Sequence, residues 1–219
     1  MSRVPWVIGV SGASGTPYAR AVLTALLDAG EPVDVIVSRA ARLTILDETG
    51  IGLRDNHWQQ DLAEWLQRDV EAARYWTATD LAAGPASGSY RTRGMVVVPA
   101  STAAVAGIAL GLSKDLLQRA ADVSLKERRP LVVVPRETPY ARSTLVNLLA
   151  LYDAGATVLP ASPAFYAGAA DLQQLVDFVA AKVLDVLGVQ HSLITRWTGE
   201  LGAARAGRRT ESSPDGRKA

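Results

Sequence analysis

The sequence predicts a single doubly wound α/β domain with a parallel sheet. Two observations support this fold class. Short apolar runs alternate along the chain with segments of helical periodicity, which is typical of repeated strand and helix units. The runs are apolar at nearly every position, as expected for strands that are buried on both faces. The length of 219 residues suits one such domain.

The composition argues against several classes of protein. There are no cysteines and only two histidines, which argues against disulfides, thiolate zinc sites, a cysteine nucleophile and a histidine-rich metal site. We therefore expect no metal. The sequence shows no signal-peptide pattern and no apolar run near ~20 residues, so we expect a cytoplasmic protein without a membrane-spanning helix.

The C-terminal tail differs in composition from the rest of the chain. Residues 203–219 are small, polar and basic, with a net charge of +3. Subtracting this from the formal charge of +1 leaves −2 for the remainder, so no general affinity for nucleic acid is expected. We expect residues 1–202 to form the domain and residues 203–219 to be disordered.

The first predicted strand, residues 4–10, ends in a turn that is rich in glycine and serine. A helix is predicted to follow, with Thr16 as its cap. Backbone N–H groups at such a helix start can bind phosphate, and Gly12 and Gly15 allow close approach. The glycines do not match G-x-G-x-x-G, and Ser38 follows the second predicted strand, where an NAD site would have a carboxylate. The pattern favours a mononucleotide, with a turn that binds no ligand as the alternative.

The next segments carry a candidate catalytic carboxylate and a predicted surface helix. Residues 38–48 predict a helix with Glu48 near its C-terminal end, where the helix dipole disfavours a carboxylate. Such a residue can be kept for chemistry, or solvent can simply absorb the cost. Residues 52–75 predict a peripheral amphipathic helix whose Trp58 and Trp65 offer surface to a neighbouring chain.

Two further segments add a loop and a second hydroxyl-bearing helix start. Residues 81–93 predict a flexible loop that could cover a site. Residues 94–99 predict a buried strand that ends at Ser101-Thr102 and leads into a helix of small residues, 103–112. Together with the serine that follows the second strand, this helix start indicates a phosphate-binding site.

The most informative stretch is a charged helix followed by a strand. Arg119 and Lys126 are seven residues apart and therefore lie on one face of the predicted helix. The apolar run 131–134 predicts a buried strand, and Arg136 and Glu137 follow it at the edge where open α/β sheets bind ligands. Two interpretations stay open. The cations flank an anionic ligand, or the helix carries a solvated ladder of alternating charges.

The last predicted elements continue the alternation of strands and helices. A helix over 143–154, a strand over 156–159 and a helix over 171–187 are predicted, with Tyr166 in the loop before the last helix and Lys182 on it. The arrangement is Rossmann-like or flavodoxin-like.

Four motifs, taken in this order, resemble one family. They are Ser11–Gly15 (SGASG), Arg119–Pro139 (RAADVSLKERRPLVVVPRETP), Leu159–Tyr166 (LPASPAFY) and Arg196-Trp197. Together they are similar to the flavin prenyltransferases, the UbiX family, over nearly all of residues 4–200. The resemblance implies metal-independent transfer of a dimethylallyl group from dimethylallyl phosphate to N5 and C6 of reduced FMN. It also implies a homo-oligomer, typically a dodecamer, whose product, prenylated FMN, serves a UbiD-type decarboxylase.

The resemblance also assigns roles to individual residues. The residues expected to bind FMN are Gly12, Ala13, Ser14, Ser38, Ser101, Thr102, Ala103, Ala104 and Arg136. Tyr166 and Lys182 are expected to bind dimethylallyl phosphate. The expected catalytic residues are Glu48, Arg119, Lys126 and Glu137. Such cations would stabilise the departing phosphate, and the carboxylates would assist later proton movements at the flavin.

The sequence departs from the family pattern at four positions. One is near Leu81, where some members have an aromatic residue that this chain lacks. Ala103 and Ala104 stand where the family often has lysine and threonine, and Ala167 stands where it usually has histidine. These departures bear on the affinity for the prenyl donor and on its identity.

Two alternatives from the residues stay open. A non-catalytic FMN carrier or accessory subunit of a decarboxylase would keep the FMN site but could lose the phosphate-binding Lys126 and Lys182, which are present. A flavin-dependent decarboxylase of cysteine peptides would share the start of the motif at Pro99. It would need asparagine where Ala103 stands, and usually a cysteine, which this chain lacks.

Overall fold

The computed structural model describes residues 4–165 and 169–196, and these contain one six-stranded sheet. The strands are β1 (Trp6–Val10), β2 (Val33–Val37), β3 (Ala73–Thr77), β4 (Gly94–Ala100), β5 (Leu131–Pro135) and β6 (Thr157–Val158). Their order is β3-β2-β1-β4-β5-β6, and every neighbouring pair is parallel. The chain runs outward from β1 through β2 to β3 and then returns to place β4 on the other side of β1. This reversal is the topological switch point of a doubly wound fold.

Helices cover both faces of the sheet. They are α1 (Thr16–Asp28), α2 (Arg39–Thr49), α3 (Trp58–Leu66), α4 (Thr102–Ala109), α5 (Leu116–Lys126), α6 (Arg142–Asp153) and α7 (Leu172–Leu187). Alternate strand residues face opposite layers, so Ile8 packs in the cluster with α1, α3 and α7, while Val7 packs in the cluster with α4, α5 and α6. The predicted fold class is confirmed.

Strand β3 was not predicted, and it lies at an edge of the sheet. The segment 52–75 was assigned to a peripheral helix, yet its end begins β3. Arg74 is exposed and its neighbours are half-buried, so β3 lacks the continuous apolar run that marked the central strands. An edge strand pairs on one side alone and needs less apolar character.

Helix α3 is part of the core, which corrects the prediction of a peripheral helix. Leu62, Trp65 and Leu66 are at most 2% exposed and pack with the cluster under α1 and α7. Trp65 is therefore unavailable to a neighbouring chain. Trp58 is half-buried and stacks on Tyr75 with ring centroids 6.0 Å apart.

The loop 81–93 is held by the side chain of Arg129, which follows α5. It contains a 3-10 turn, Gly84–Ala86. Arg129 donates hydrogen bonds to the carbonyls of Tyr90 (2.8 Å) and Gly88 (2.6 Å). These contacts fix the path of the loop along α5. Within the described ranges, no helix is long and apolar enough to cross a membrane.

Candidate functional site

A cavity of about 200 Å³ lies at the switch point, beyond the carboxyl ends of β1, β2 and β4. Its lining includes Ser11, Gly12, Ser38, Ser101, Ala103 and Asp115, and we call it the switch-point cavity. A larger cavity of about 560 Å³ lies between α1, α3 and α7. That cavity is lined by helix side chains rather than strand ends, so the smaller one is the better candidate.

Two helices begin at the switch-point cavity, and each is capped by a serine. The hydroxyl of Ser38 accepts a hydrogen bond from the N–H of Ala41 (3.1 Å), and that of Ser101 accepts one from Ala104 (3.2 Å). Each hydroxyl keeps its own hydrogen to donate to a ligand. The first N–H groups of a helix lack partners within it, so both starts attract an anion.

Ser11 joins the two sides of the switch point, and sequence reasoning did not single it out. Its side chain is buried, its hydroxyl donates to the carbonyl of Pro99 (2.8 Å), and its oxygen accepts from the N–H of Ser101 (2.7 Å). Pro99 lies 88 residues and Ser101 lies 90 residues from Ser11 in the sequence. The signals in the sequence were its position directly after an apolar strand and at the start of the SGASG motif.

The turn between β1 and α1 is closed by Glu48, which corrects the predicted cap. The cap position is Gly15, with φ 110°, rather than Thr16, and it has no side chain of its own to offer. One carboxylate oxygen of Glu48 accepts from the N–H of Gly15 (2.9 Å). The other accepts from the N–H (2.9 Å) and the hydroxyl (2.6 Å) of Thr16. Glu48 thus caps a helix other than its own.

This contact explains how a carboxylate is tolerated at the end of α2. Partial burial raises the pKa of Glu48, but hydrogen bonds from Thr16, Ser14 and the N–H of Gly15 outweigh that effect and lower the pKa below its usual value. The positive end of the α1 dipole acts in the same direction. At neutral pH Glu48 is therefore ionised.

Glycine is required at position 12 by the close approach of two elements. A Cβ atom built on Gly12 would lie 2.4 Å from the Cβ of Ala40 in α2. Ala13 beside it is buried, whereas Ser14 is exposed. The absence of a side chain lets the β1–α1 turn reach the start of α2, where Ser38 stands.

Arg136 connects the end of β5 to the β1–α1 turn. Its Nε donates to the carbonyl of Ser14 (2.7 Å), and its backbone N–H donates to the carbonyl of Ala100 (3.3 Å). Glu137 is exposed next to it and accepts a hydrogen bond from the N–H of Thr138 (2.9 Å). Most of the residues predicted to bind FMN therefore share one edge of the sheet with Glu48 and Glu137.

Lys126 lies away from the switch-point cavity within one chain. Asp115 lines the cavity at the start of α5, and Lys126 is the last residue of this 11-residue helix. At 1.5 Å per residue the separation along the axis is ~16 Å. The ammonium group pairs with Glu127, next to Gly88 of the loop that follows β3.

Arg119 is also engaged outside the cavity lining. Its Nε donates to the carbonyl of Ala86 (3.0 Å), and its Nη1 pairs with Asp122 (2.7 Å). Within one chain the predicted cations do not surround a single ligand. The Arg119–Asp122 pair belongs to the ladder of charges that was the other interpretation of this helix.

Lys182 belongs to a cluster of charges near the end of the described chain. Asp185 accepts from Lys182 (3.4 Å), His191 (3.1 Å) and Arg196 (2.8 Å). The Arg196 hydrogen bond is the largest influence on Asp185 and lowers its pKa to about 2, although burial opposes it. Tyr166, Ala167, Trp197 and the predicted tail 203–219 lie outside the described residues.

The donor set of the switch-point cavity fits the phosphate end of FMN. Its edge carries two serine hydroxyls and the N–H groups of two helix starts, which are the groups that bind phosphate monoesters. The Asp115 carboxylate is engaged as the cap of α5, where it accepts from the N–H of Gln118 (2.9 Å). Among the described residues, no group of three or more histidine or carboxylate side chains could hold a metal.

Comparisons with known proteins identify the family. A family model described as Flavoprotein matches residues 1–184. The flavin prenyltransferase UbiX of Streptomyces coelicolor is 66% identical over 213 residues, which covers 92% of this chain and 99% of that protein. The flavin prenyltransferase UbiX of Pseudomonas aeruginosa is 39% identical over 192 residues, covering 87% of this chain and 92% of that protein.

The chain is a flavoprotein by class. Within that class it belongs to the flavin prenyltransferases of the UbiX family, which confirms the family resemblance.

Solved structures agree with this assignment. AnUbiX (PadA1), in a crystal structure with FMN and dimethylallyl pyrophosphate, has a TM-score of 0.81 and 34% identity, covering 91% of this chain and 100% of that chain. A dodecameric FMN-dependent UbiX-like decarboxylase from Escherichia coli O157:H7 has a TM-score of 0.79 and 37% identity. The match covers 90% of this chain and 100% of that chain. The cysteine decarboxylase SpaF, at 15% identity and a TM-score of 0.52, shares the fold alone.

Proposed function

We propose that this protein transfers a dimethylallyl group from a dimethylallyl phosphate donor to reduced FMN and so makes prenylated FMN. The observation that carries the proposal is the pair of serine-capped helix starts at the switch point, found in a chain of the UbiX family. The new bonds form at N5 and C6 of the flavin. The product serves a UbiD-type decarboxylase, and the enzyme acts in the cytoplasm without a metal.

The residues at the switch point bind FMN. Ser38 and Ser101 donate their hydroxyl hydrogens to the phosphate, together with free N–H groups of α2 and α4. Ala103 and Ala104 serve through their backbone, so the absence of lysine and threonine side chains does not remove these donors. Arg136 lies beside the turn and approaches the flavin from the end of β5.

The transfer breaks an allylic C–O bond and releases phosphate. Arg136, Lys126 and Lys182 stabilise the negative charge that grows on the departing phosphate, with Arg119 supporting the same region. Tyr166 contributes a hydroxyl to the donor site. Because Glu48 is ionised at neutral pH, it acts as a proton acceptor after the phosphate has left, with Glu137 as the second carboxylate.

The site is completed across subunit boundaries in a homo-oligomer, which we propose is a dodecamer. Lys126 lies ~16 Å along α5 from the residue that lines the cavity of its own chain, and Lys182 is paired with Asp185 on α7, so we expect neighbouring copies to supply them. Helix α6 offers an apolar contact surface, with Leu145, Leu149 and Tyr152 at 53%, 60% and 67% exposed. Exposed apolar side chains spaced along one helix face are typical of a surface that is buried on assembly.

An anaerobic assay tests this function. Reduced FMN is incubated with the protein and dimethylallyl phosphate, and the flavin is extracted for mass analysis. The expected result is a mass increase of one five-carbon unit, with or without EDTA. Dimethylallyl pyrophosphate in a parallel reaction distinguishes the two donors.

The same assay decides between this function and the carrier alternative. Flavin that stays bound with unchanged mass in every reaction would favour a non-catalytic FMN carrier. The decarboxylase of cysteine peptides has no support beyond the shared fold, since the chain has no cysteine and Ala103 replaces the asparagine.

A further inference from the structure

The hydroxyl of Ser11 lies where the two halves of the sheet separate. It is 2% exposed, and both of its contacts go to the backbone at the end of β4. Its one hydrogen is donated to the carbonyl of Pro99, and its oxygen accepts from the N–H of Ser101. With its hydrogen used in this way, the hydroxyl has none to donate to a ligand.

The end of β4 depends on this contact because its ladder is irregular. The β4–β5 pairing shifts register between Val97 and Ala100. Pro99 has no N–H, and its carbonyl accepts both the hydroxyl (2.8 Å) and the backbone N–H (3.2 Å) of Ser11. Irregular strand ends of this kind redirect the chain next to functional sites.

Ser11 directly contacts Ser101, a residue of the proposed FMN site. The N–H of Ser101 is held by Ser11, and the hydroxyl of Ser101 caps α4 by accepting from Ala104. The orientation of Ser101 therefore sets both its own hydroxyl and the first turn of α4. Ser11 stands on the β1–α1 turn, so it also fixes the distance between the two loops that flank the cavity.

We propose that Ser11 is a positioning residue for FMN: it aligns Ser101 and the start of α4 with the β1–α1 turn without donating to the cofactor. This inference rests on the proposed FMN site and adds a residue to it. Removal of the hydroxyl leaves the N–H of the half-buried Ser101 without its partner, which is costly and lets the loop move.

The test measures the FMN dissociation constant by quenching of flavin fluorescence as full-length protein is added. Ser11→Ala is expected to raise this constant at least tenfold. Ser124→Ala is the matched control, because Ser124 is also 2% exposed and its hydroxyl donates to the carbonyl of Ala120 (2.9 Å) within α5. We expect the control to leave the constant within about twofold of wild type, since no loop at the site depends on it.

A double-variant cycle separates positioning from general destabilisation. If Ser11 acts partly through Ser101, then Ser11→Ala combined with Ser101→Ala weakens FMN binding by less than the sum of the two single effects. Ser11→Cys keeps a side chain of similar shape that forms a weaker hydrogen bond. It provides a second variant if Ser11→Ala does not fold, and it too should weaken FMN binding.

Three results would overturn the inference. They are an unchanged constant in a folded Ser11 variant, strictly additive effects in the cycle, and an equal loss in Ser124→Ala. Failure of the proposed function gives a different result. If the transfer reaction fails, the mass of the extracted flavin stays unchanged while the FMN constants of the variants keep their order, and if the FMN site itself is wrong, wild-type protein does not bind FMN.

Discussion

At the scale of single residues, Glu48 shows how one contact settles two local problems. A carboxylate at the end of α2 faces the negative end of its own helix, and the start of α1 has no side-chain cap of its own. Glu48 resolves both problems by accepting hydrogen bonds from the N–H groups of Gly15 and Thr16. They also use the N–H groups that sequence reasoning assigned to a phosphate.

Replacement of this carboxylate has a predicted cost. Glu48→Gln should lower the free energy of unfolding by about 1 kcal/mol at pH 7, which is typical for loss of a cap. Because the pKa of Glu48 is lower in the folded state, its contribution is present above the unfolded pKa and is lost as the pH falls through the folded pKa. Denaturant unfolding at pH 7 and near pH 3 measures the difference.

Asp47→Asn is the control for this experiment, since it removes an exposed carboxylate from the neighbouring position of the same helix. The wild-type and Glu48→Gln curves should converge in acid. An equal difference in the free energy of unfolding between wild type and Glu48→Gln at both values of pH would show that the charge of Glu48 does not stabilise the turn.

The residues of the site differ in how far the sequence could predict them. Ser38 and Ser101 each follow an apolar run and precede a helix, so local pattern alone marked both as caps. The partners of Ser11 and Glu48 lie tens of residues away. Their contacts depend on which strands become neighbours, and a local pattern carries no such information.

At the scale of elements, the segment after α7 is fastened to that helix by Asp185. Asp185→Asn should loosen residues 189–196, because Arg196 and His191 lose their shared anion. Since the folded pKa is about 2, the contribution of Asp185 is present above pH ~4 and is lost as the pH falls toward the folded value.

Hydrogen exchange of residues 189–196 is the measurement, with Asp177→Asn as the control. Asp177 lies on the same helix and pairs with Gln173 (2.8 Å). Faster exchange in Asp185→Asn but not in Asp177→Asn is the expected outcome. Equal exchange in the two variants would mean that the cluster does not hold the segment.

The elements near the edge of the sheet were the hardest to predict. The central strands β1, β2, β4 and β5 are buried throughout, and their apolar runs were visible. Strand β3 mixes exposed and half-buried residues, and helix α3 carries many polar side chains around three buried apolar ones. Average polarity suggested a surface position, whereas the spacing of the apolar residues decided burial.

At the scale of the whole molecule, the apolar face of α6 predicts the effect of a charge on assembly. Leu149→Asp should shift the homo-oligomer toward smaller species, because it places a carboxylate in the proposed contact. Its side chain is 60% exposed, so the fold of one chain should survive. Light scattering measures the mass. Gln60→Asp, at an exposed polar position on α3, is the control and should not alter it.

The distant cations predict a kinetic effect without loss of flavin binding. Lys126→Ala should slow prenylation roughly a hundredfold, or ~3 kcal/mol, while FMN binds normally. Lys114→Ala removes an exposed lysine just before α5 and should be close to wild type. Mass analysis of the extracted flavin over time gives both rates. Full activity in Lys126→Ala would mean that Lys126 has no role in the reaction and belongs to a ladder of surface charges.

The general architecture followed from the sequence, but the positions of the cations relative to the cavity did not. A parallel sheet with its ligand at the strand ends follows from burial and chain direction. Lys126 lies at the opposite end of α5 from Asp115, which lines the cavity. Helical spacing correctly grouped Arg119 and Lys126 on one face, yet it does not say how far along the helix each lies from the cavity.

The separation of Lys126 from its own cavity has a consequence for mixed assemblies. A chain with Lys126→Ala keeps its flavin site, and a chain with Ser38→Ala and Ser101→Ala keeps its lysine. Neither should support the reaction alone. When the two variant chains are produced together in one cell, some sites would combine the intact serines of the Lys126→Ala chain with the intact Lys126 of the serine variant. Activity above the sum of the separate preparations is then expected, so two defective copies of the gene would restore each other.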